Sequence, residues 1–190
     1  AVSTSASLPM PAASTSGCEF SVVYNNANGA MTTTAPLFDA GWSTEMALDV
    51  QWAHATAPLA RIILIEAADP MINNLLGSVK LANAMGPGAV SMSFGTLEGS
   101  WTASVDSAFS ASNMTYLAAT GDSGAAVSWP AVSTKVLAVG GTSLTYTGVG
   151  VRSEVGWSGT GGGTSLYTPV PVYQNVTVPS RRLDAWKPAM

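Results

Sequence analysis

Short apolar runs rich in β-branched residues alternate along this chain with stretches that have the residue pattern of helices. Strand-like runs occupy residues 61–66, 89–94, 115–119 and 136–139, and helical patterns occupy residues 71–85 and 101–112. Such alternation is typical of parallel sheets, in which a helix joins each strand to the next. The sequence therefore predicts an α/β fold with a mainly parallel sheet.

Two carboxylates, Glu45 and Asp49, lie four residues apart in a segment with a helical pattern. This spacing places both side chains on one face of a helix. We expect Ser43 to cap the helix, Glu45 to lie in its first turn and Pro58 to end it. Two like charges this close can share one proton and act as a general base with its support. The alternative is that Glu45 only favours the helix dipole and that Asp49 is solvated.

Composition limits the classes of partner that we expect for the chain. Only 9% of the residues are charged, and the formal net charge is -4. Because there is no basic stripe to neutralise phosphates, we expect no nucleic acid as partner. No apolar run reaches the length that spans a bilayer, so we expect no membrane partner.

Three further motifs each have a functional and a structural interpretation. Thr-Gly-Asp-Ser-Gly at 120–124 follows a strand-like run and places Asp122 on a tight turn, either at a ligand site or simply at a common turn. The glycine run at 158–165 lacks the lysine of a phosphate-binding loop, and we interpret it as a flexible loop beside the substrate. His54 has no second ligand at a suitable spacing, so we expect no metal site and no histidine triad.

Taken in order, the motifs resemble those of the sedolisin family, the serine-carboxyl peptidases, whose fold is that of subtilisin. The resemblance spans about residues 40–175, and its specificity lies in the joint order of the motifs. The matching segments are Glu-x-x-x-Asp at 45–49, Gln-Trp-Ala-His-Ala-Thr-Ala-Pro at 51–58, Ile-Ile-Leu-Ile-Glu at 62–66, Ser-Met-Ser-Phe-Gly at 91–95, Thr-Gly-Asp-Ser-Gly at 120–124, Trp-Pro at 129–130, Val-Leu-Ala-Val-Gly-Gly-Thr-Ser at 136–143, Glu-x-x-Trp at 154–157, Gly-Gly-Gly-x-Ser at 161–165 and Pro-x-Pro-x-Tyr-Gln at 169–174.

The resemblance implies a subtilisin-like three-layer domain and an acid-acting peptidase with a Ser-Glu-Asp triad. Glu45 resembles the general base, Asp49 the acid that orients it, and Asp122 the acid of the oxyanion hole. A carboxyl base beside a protonated carboxyl donor implies an optimum at acid pH. A peptide or protein substrate would pair with the backbone of a strand at 91–95. The substrate-binding residues implied are Ser91, Ser93, Phe94, Gly95 and Gly121.

The family's serine nucleophile lies in a Gly-Thr-Ser-x-x-x-Pro motif that opens a long helix, and we expect this motif outside the chain. The segment around Ser165, Gly-Thr-Ser-Leu-Tyr-Thr-Pro at 163–169, is similar to this motif. The glycines before Ser165 and the prolines after it resemble an earlier loop of the family, so we do not expect Ser165 to be the nucleophile. The family's calcium site is also expected outside the chain, so we expect no cofactor within it. The expected domain is incomplete at both ends, lacks the family's strand before the dyad helix, and needs a complementary fragment to supply the serine.

The sequence predicts a linker at 1–17, a partial peptidase domain at 18–178 and a divergent basic tail at 179–190. The expected function is extracellular proteolysis at acid pH, with this chain inactive by itself. The alternative is a non-catalytic peptide-binding or interaction protein that kept the peptidase fold. A nucleotide-binding α/β domain is a weaker third alternative, because G-x-G-x-x-G and P-loop signatures are missing.

Overall fold

The computed structural model describes residues 8–174, which divide into two compact units. The predicted basic tail at 179–190 lies outside the described residues, and so does the start of the predicted linker. The first unit consists of Ala1–Val90 and Ala111–Met114, and the second of Ser91–Ser110 and Thr115–Met190.

A parallel pair of strands forms the centre of the first unit. Strands β1 (Glu19–Asn25) and β3 (Arg61–Ala67) pair along their whole length, so that Glu19 lies opposite Arg61. The short strand β2 (Met31–Thr32) pairs antiparallel with β1 and completes the order β2-β1-β3. Because parallel neighbours cannot be joined by a tight turn, the chain crosses between β1 and β3 through helix α1 (Ala40–Thr56).

The expectation that no strand precedes the dyad helix is wrong, because β1 does so. Its sequence, Glu-Phe-Ser-Val-Val-Tyr-Asn, places polar residues at both ends and in the middle, which weakens the strand signal. The strand is stabilised instead by its parallel pairing with β3 and by burial of Val23 and Asn25. Tertiary pairing therefore decides this element.

Helix α2 (Ile72–Met85) supplies the apolar core of the first unit and packs against β1 and β3. The predicted helix at 71–85 is confirmed within one residue, since Met71 is the N-cap. The buried cluster consists of Val23, Leu81 and Met85, with Met10, Met31, Ile63 and Ile65 packed against it.

One arginine ties the segment before β1 to the sheet. The guanidinium of Arg61 donates to the Glu19 carboxylate at 2.6 Å and to the carbonyls of Pro11 and Ala12 at 2.6 and 3.1 Å. The hydrogen bond from Arg61, followed by one from the Ser14 amide, holds the pKa of Glu19 below its usual range. Residues 8–18 contain no helix or strand, yet these bonds fix part of them beside β1 and β3.

The second unit contains short strands in three small groups. The end of β4 (Gly88–Met92) belongs to it, and β6 (Met114–Ala119) pairs parallel with β8 (Leu137–Val139) in the order β4-β6-β8. Strands β5 (Thr96–Leu97) and β7 (Ser128–Trp129) pair antiparallel, as do β9 (Thr142–Thr145) and β10 (Ser153–Gly156). The strands predicted at 115–119 and 136–139 are confirmed within one residue at each end.

The helix predicted at 101–112 is shorter and less regular than expected. Helix α3 (Thr102–Val105) gives way to a 3-10 turn at Asp106–Phe109, and a second 3-10 turn lies at Val172–Gln174. Asp106 accepts a hydrogen bond from the Ser133 hydroxyl and lies 3.4 Å from the Lys135 ammonium, which also binds the Ser110 hydroxyl. We attribute the early end of the helix to these tertiary contacts, which outweigh a weak local propensity.

An aromatic cluster around Trp129 forms the core of the second unit. Trp129 is only 1% exposed, and the ring of Trp101 meets it edge-on with centroids 5.4 Å apart. Phe94 and Phe109 lie at 6.3 and 6.2 Å from it, and Phe109 also packs against Tyr116. The edge-on pairs, Trp101 with Trp129 and Phe109 with Tyr116, have a geometry that aromatic quadrupoles favour, so they stabilise the unit beyond the effect of the buried area.

Gly77 of α2 provides the first test of the packing in the first unit. A Cβ there would lie 2.9 Å from the Asn25 amide nitrogen and would clash with the backbone carbonyl of Asn26. We expect Gly77→Ala to lower the free energy of unfolding by about 1–3 kcal/mol despite the better helix propensity of alanine. Urea unfolding checks this, with Gly88→Ala, which meets open space, as the control. A Gly77→Ala protein as stable as wild type would contradict the packing described here.

Candidate active site

The acid pair lies on α1, which begins earlier than the sequence predicts. Asp39 is the N-cap, and its carboxylate accepts the Trp42 amide at 2.9 Å. The Ser43 hydroxyl instead donates to the Asp39 carbonyl at 2.7 Å, so the predicted Ser43 cap is wrong. Glu45 consequently lies in the second turn, not the first, and is no longer beside the positive end of the helix. The helix ends at Thr56, as expected from Pro58.

Glu45 and Asp49 are one helical turn apart on the same face, and both are half-buried. The helix packs against β3, but none of its residues is fully buried. Of the expected apolar stripe, Met46 and Val50 are half-buried whereas Ala47 and Ala53 are exposed. The two carboxyl groups thus share one partly buried face of α1, as the sequence predicts.

Glu66, near the carboxyl end of β3, is a titratable group that the sequence marked only as part of a strand. Its neighbour across the sheet is Tyr24, and desolvation by burial raises the pKa of its carboxyl above the ordinary value. Perturbed acids at the carboxyl ends of parallel strands are typical of ligand sites. The sequence signal was the charge that ends an otherwise apolar run.

The raised pKa of Glu66 predicts a specific dependence of stability on pH. Between the unfolded and the folded pKa, the folded state binds more protons, so the free energy of unfolding falls as pH rises through that window. We expect Glu66→Gln to be more stable than wild type at about pH 7 and equally stable at about pH 3. Urea unfolding at both pH values measures the difference.

Glu154→Gln is the matched control for this measurement. Hydrogen bonds from Thr142 and Arg152 lower the pKa of Glu154, so its charged form stabilises the fold at neutral pH. We therefore expect no gain at neutral pH from Glu154→Gln. A Glu66→Gln protein that gains equally at both pH values would contradict the proposed cause.

The segment predicted as a substrate-binding strand is a strand only at its start. Ser91 lies on β4 and is exposed, whereas Ser93, Phe94 and Gly95 follow the end of that strand and belong to no strand. The prediction of a strand over 91–95 is therefore wrong beyond residue 92. Phe94 packs beside Trp129, with ring centroids 6.3 Å apart.

Asp122 lies on a turn immediately after β6, as the sequence predicts. Gly121 and Gly124 frame it with φ values of +95° and +66°, a left-handed conformation that favours glycine. The Asp122 side chain is exposed. The turn thus presents a carboxyl to solvent at the carboxyl end of a parallel strand, where ligands of such sheets bind.

The glycine run packs directly against this turn. Gly124 donates to the Gly159 carbonyl at 2.9 Å, Gly161 donates to the Gly121 carbonyl at 2.9 Å, and Gly162 donates to the Ala126 carbonyl at 3.0 Å. A Cβ on Gly161 would clash with the carbonyl of Thr120, so only glycine allows this approach. These hydrogen bonds hold the segment in place, so the prediction that it is a flexible loop is wrong for residues 159–162.

Ser165 lies just beyond the glycines and is bound to Glu98. Its hydroxyl donates to one carboxylate oxygen of Glu98, while the other oxygen accepts the Leu166 amide at 2.8 Å. The same hydroxyl oxygen accepts the amides of Tyr167 and Thr168 at 3.1 and 2.7 Å. Residues 161–171 form no helix, unlike the segment that carries the nucleophile in the resembling family.

The candidate residues fall into the two units separately. Glu45 and Asp49 belong to the first, whereas Asp122, Gly121 and the segment 91–95 belong to the second. The second unit also has a cavity of about 200 Å³ that none of them lines. Its walls are formed by Thr102, Ala103, Asp106, Trp129, Val132, Ser133, Thr134, Tyr167, Thr168 and Pro169.

Side chains that could hold a metal ion are not grouped in the part of the chain that the structure describes. No cluster of three or more His, Cys, Asp or Glu side chains occurs within residues 8–174. The expectation that the family's calcium site lies outside the chain stays a prediction. Over the same residues, no helix has the length and apolar character needed to cross a bilayer.

No protein-family model matches this chain, but two curated proteins are similar to it in sequence. Kumamolisin from Bacillus sp. (strain MN-32) is 34% identical over 154 residues, covering 68% of this chain and 28% of kumamolisin. Sedolisin from Pseudomonas sp. (strain 101) is 44% identical over 70 residues, covering 30% of this chain and 12% of sedolisin. The chain thus spans about a quarter or less of the length of these relatives.

A solved structure extends the similarity to the fold. Pseudomonas sedolisin, a serine-carboxyl proteinase complexed with two molecules of pseudo-iodotyrostatin, superposes with a TM-score of 0.65 at 25% identity. The match covers 82% of this chain and 52% of that chain. The chain therefore has part of a subtilisin-like α/β fold of the kind found in peptidases. Over the part that aligns, it is a relative of the sedolisin family.

Proposed function

We propose that this chain is part of an acid-acting serine-carboxyl peptidase. The observation that carries the proposal is the half-buried pair Glu45 and Asp49, one turn apart on α1, in a relative of the sedolisins. In this proposal Glu45 takes the proton from a serine nucleophile, and Asp49 orients Glu45 and supports its charge. Because Glu45 must be ionised to accept a proton, activity falls at very low pH.

Asp122 supplies the oxyanion hole in the proposed reaction. As a carboxylic acid it would donate a hydrogen bond to the oxygen that becomes negative in the tetrahedral intermediate. A carboxyl can donate only when it is protonated, so activity also falls as pH rises. Because Asp122 is exposed, this role requires that bound substrate, or chain outside the described residues, exclude water from it. Its place on a fixed turn after β6 supports this role.

The substrate in this proposal is an extended peptide. In this proposal the peptide lies along residues 91–95, which begin on β4 and continue past its end, and Gly121 allows close approach beside Asp122. The structural relative is itself complexed with pseudo-iodotyrostatin. We propose that the serine comes from a Gly-Thr-Ser-x-x-x-Pro segment outside residues 1–190. Ser165 is not the nucleophile in this proposal, because its hydroxyl oxygen accepts the amides of Tyr167 and Thr168 and residues 161–171 form no helix. By family resemblance the protein acts outside the cell.

Replacement of the acid pair tests the proposed general base. In the form of the protein that carries the serine, we expect Glu45→Gln to lower kcat by about 100-fold or more with little change in unfolding free energy. Asp49→Asn should lower kcat less, because it removes support rather than the proton acceptor. Initial rates on denatured protein between about pH 3 and pH 7 measure both, since this range brackets carboxylate titration.

Asp39→Asn is a suitable control, since it alters a carboxylate at the cap of the same helix without touching the pair. Full turnover by Glu45→Gln would end the proposed role. Peptide binding without any cleavage by the wild-type protein would instead favour the non-catalytic alternative.

The proposed role of Asp122 is tested by the kcat of its variants and by the pH dependence of that kcat. We expect Asp122→Ala to lower kcat by about 100- to 1000-fold, or ~3 kcal/mol, which is typical of one lost oxyanion donor. Asp122→Asn should retain part of the activity, and its alkaline limit should move upwards because an amide donates without being protonated. Unfolding of both variants with an unchanged pH profile would show that the residue has only a structural role.

A further inference from the structure

Glu98 holds one end of the glycine-rich segment whose other end packs against the Asp122 turn. Its two carboxylate oxygens accept the Ser165 hydroxyl and the Leu166 amide. Its own amide donates to the Val127 carbonyl at 3.3 Å. The residue therefore links β5, which it follows directly, to the chain beyond the glycines.

The path from Glu98 to Asp122 is short and continuous. Residues 159–162 form three backbone hydrogen bonds with residues 121–126, and only residues 163–164 separate this ladder from Ser165. A Cβ added at Gly163 would lie 3.0 Å from the Val127 side chain. Residues 163–164 therefore also run close to the segment that follows the Asp122 turn. We therefore expect that a shift of Ser165 also shifts residues 159–162 and, through their hydrogen bonds, the Asp122 turn.

Such a segment needs an anchor at each end. Glycine loses more conformational entropy on ordering than any other residue, so a glycine run left free at one end would sample many conformations. Glu98 supplies such an anchor at the far end of the run, because its side chain accepts two hydrogen bonds, from the Ser165 hydroxyl and from the Leu166 amide. Within the described residues, this contact is suited to fix the loop.

We propose that Glu98 is a positioning residue, which acts through Ser165 and the glycine segment to hold the turn that bears Asp122. The proposal rests on the proposed function only for its consequence in catalysis. Glu98 touches no reacting group in this account. Its loss releases the glycine segment, which loosens the Asp122 turn and misplaces the oxyanion donor.

Amide hydrogen exchange tests the positioning step without any need for activity. We expect Glu98→Ala and Ser165→Ala to raise the exchange rates of the amides in 121–126 and 159–162 by about tenfold or more. Ser165→Thr keeps the hydroxyl and should restore protection. Glu98→Gln keeps one acceptor oxygen and should give an intermediate rate.

Glu154→Ala is the matched control, because Glu154 also accepts a hydroxyl, from Thr142 at 2.6 Å, on the β9–β10 hairpin of the same unit. Its effect should remain within that hairpin. Faster exchange confined to residues 165–168 in the Glu98 and Ser165 variants would overturn the proposal. So would an equal rise in 121–126 caused by Glu154→Ala.

Steady-state kinetics of the serine-carrying form give the second readout. Misplacement of a transition-state donor should lower kcat by about tenfold or more in Glu98→Ala with little change in KM, and Ser165→Thr should retain near wild-type kcat. If the wild-type form cleaves no peptide, the proposed function fails, while the exchange data still decide the role of Glu98. Faster amide exchange in Glu98→Ala with an unchanged kcat would refute the proposed effect of Glu98 on catalysis.

Discussion

Parallel pairing of strands is the constraint on which the placement of the candidate residues depends. Neighbouring parallel strands must be joined by a crossover, and two such crossovers carry the candidate acids. The crossover from β1 to β3 contains α1 with Glu45 and Asp49, and the crossover from β6 to β8 contains the turn with Asp122. Each group of acids thus belongs to a connection whose two ends are fixed by strand pairing, which is how a rigid sheet positions loop residues.

The strongly apolar strands and the long amphipathic helix could be predicted from the sequence because burial determines them locally. β3, β6, β8 and α2 lie where the pattern of apolar residues places them. β1 could not be found in this way, since its polar residues are accommodated by partners elsewhere in the chain: Asn25 binds the Asn74 carbonyl and the Ser78 hydroxyl of α2. Such long-range compensation leaves no local periodicity.

The N-cap of α1 shows a different limit of prediction from sequence. Both Asp39 and Ser43 are good N-cap residues, and the spacing of apolar residues alone does not choose between them. The structure selects Asp39, which adds one turn before Glu45. The spacing of Glu45 and Asp49 correctly predicted that the two acids share one helix, but the surroundings of Glu45 depended on a cap that only the structure showed.

The contact between Glu98 and Ser165 joins residues 67 positions apart and has no sequence signature of its own. Glu98 lies beside a motif that was singled out, and Ser165 lies at the end of another, yet neither motif indicates that the two meet. Contacts of this kind arise from the backbone path of the glycine segment, in which side-chain pattern has no part. They are the features for which a structure is most needed.

The aromatic cluster of the second unit has a practical consequence. Trp101 and Trp129 hold their indole rings 5.4 Å apart at an angle of 63°, inside a unit that also contains Phe94 and Phe109. Chromophores fixed in a chiral arrangement produce a near-ultraviolet circular dichroism band that vanishes when side-chain packing is lost. The second unit therefore carries its own optical probe, by which its tertiary order can be followed separately from the backbone structure of the whole chain.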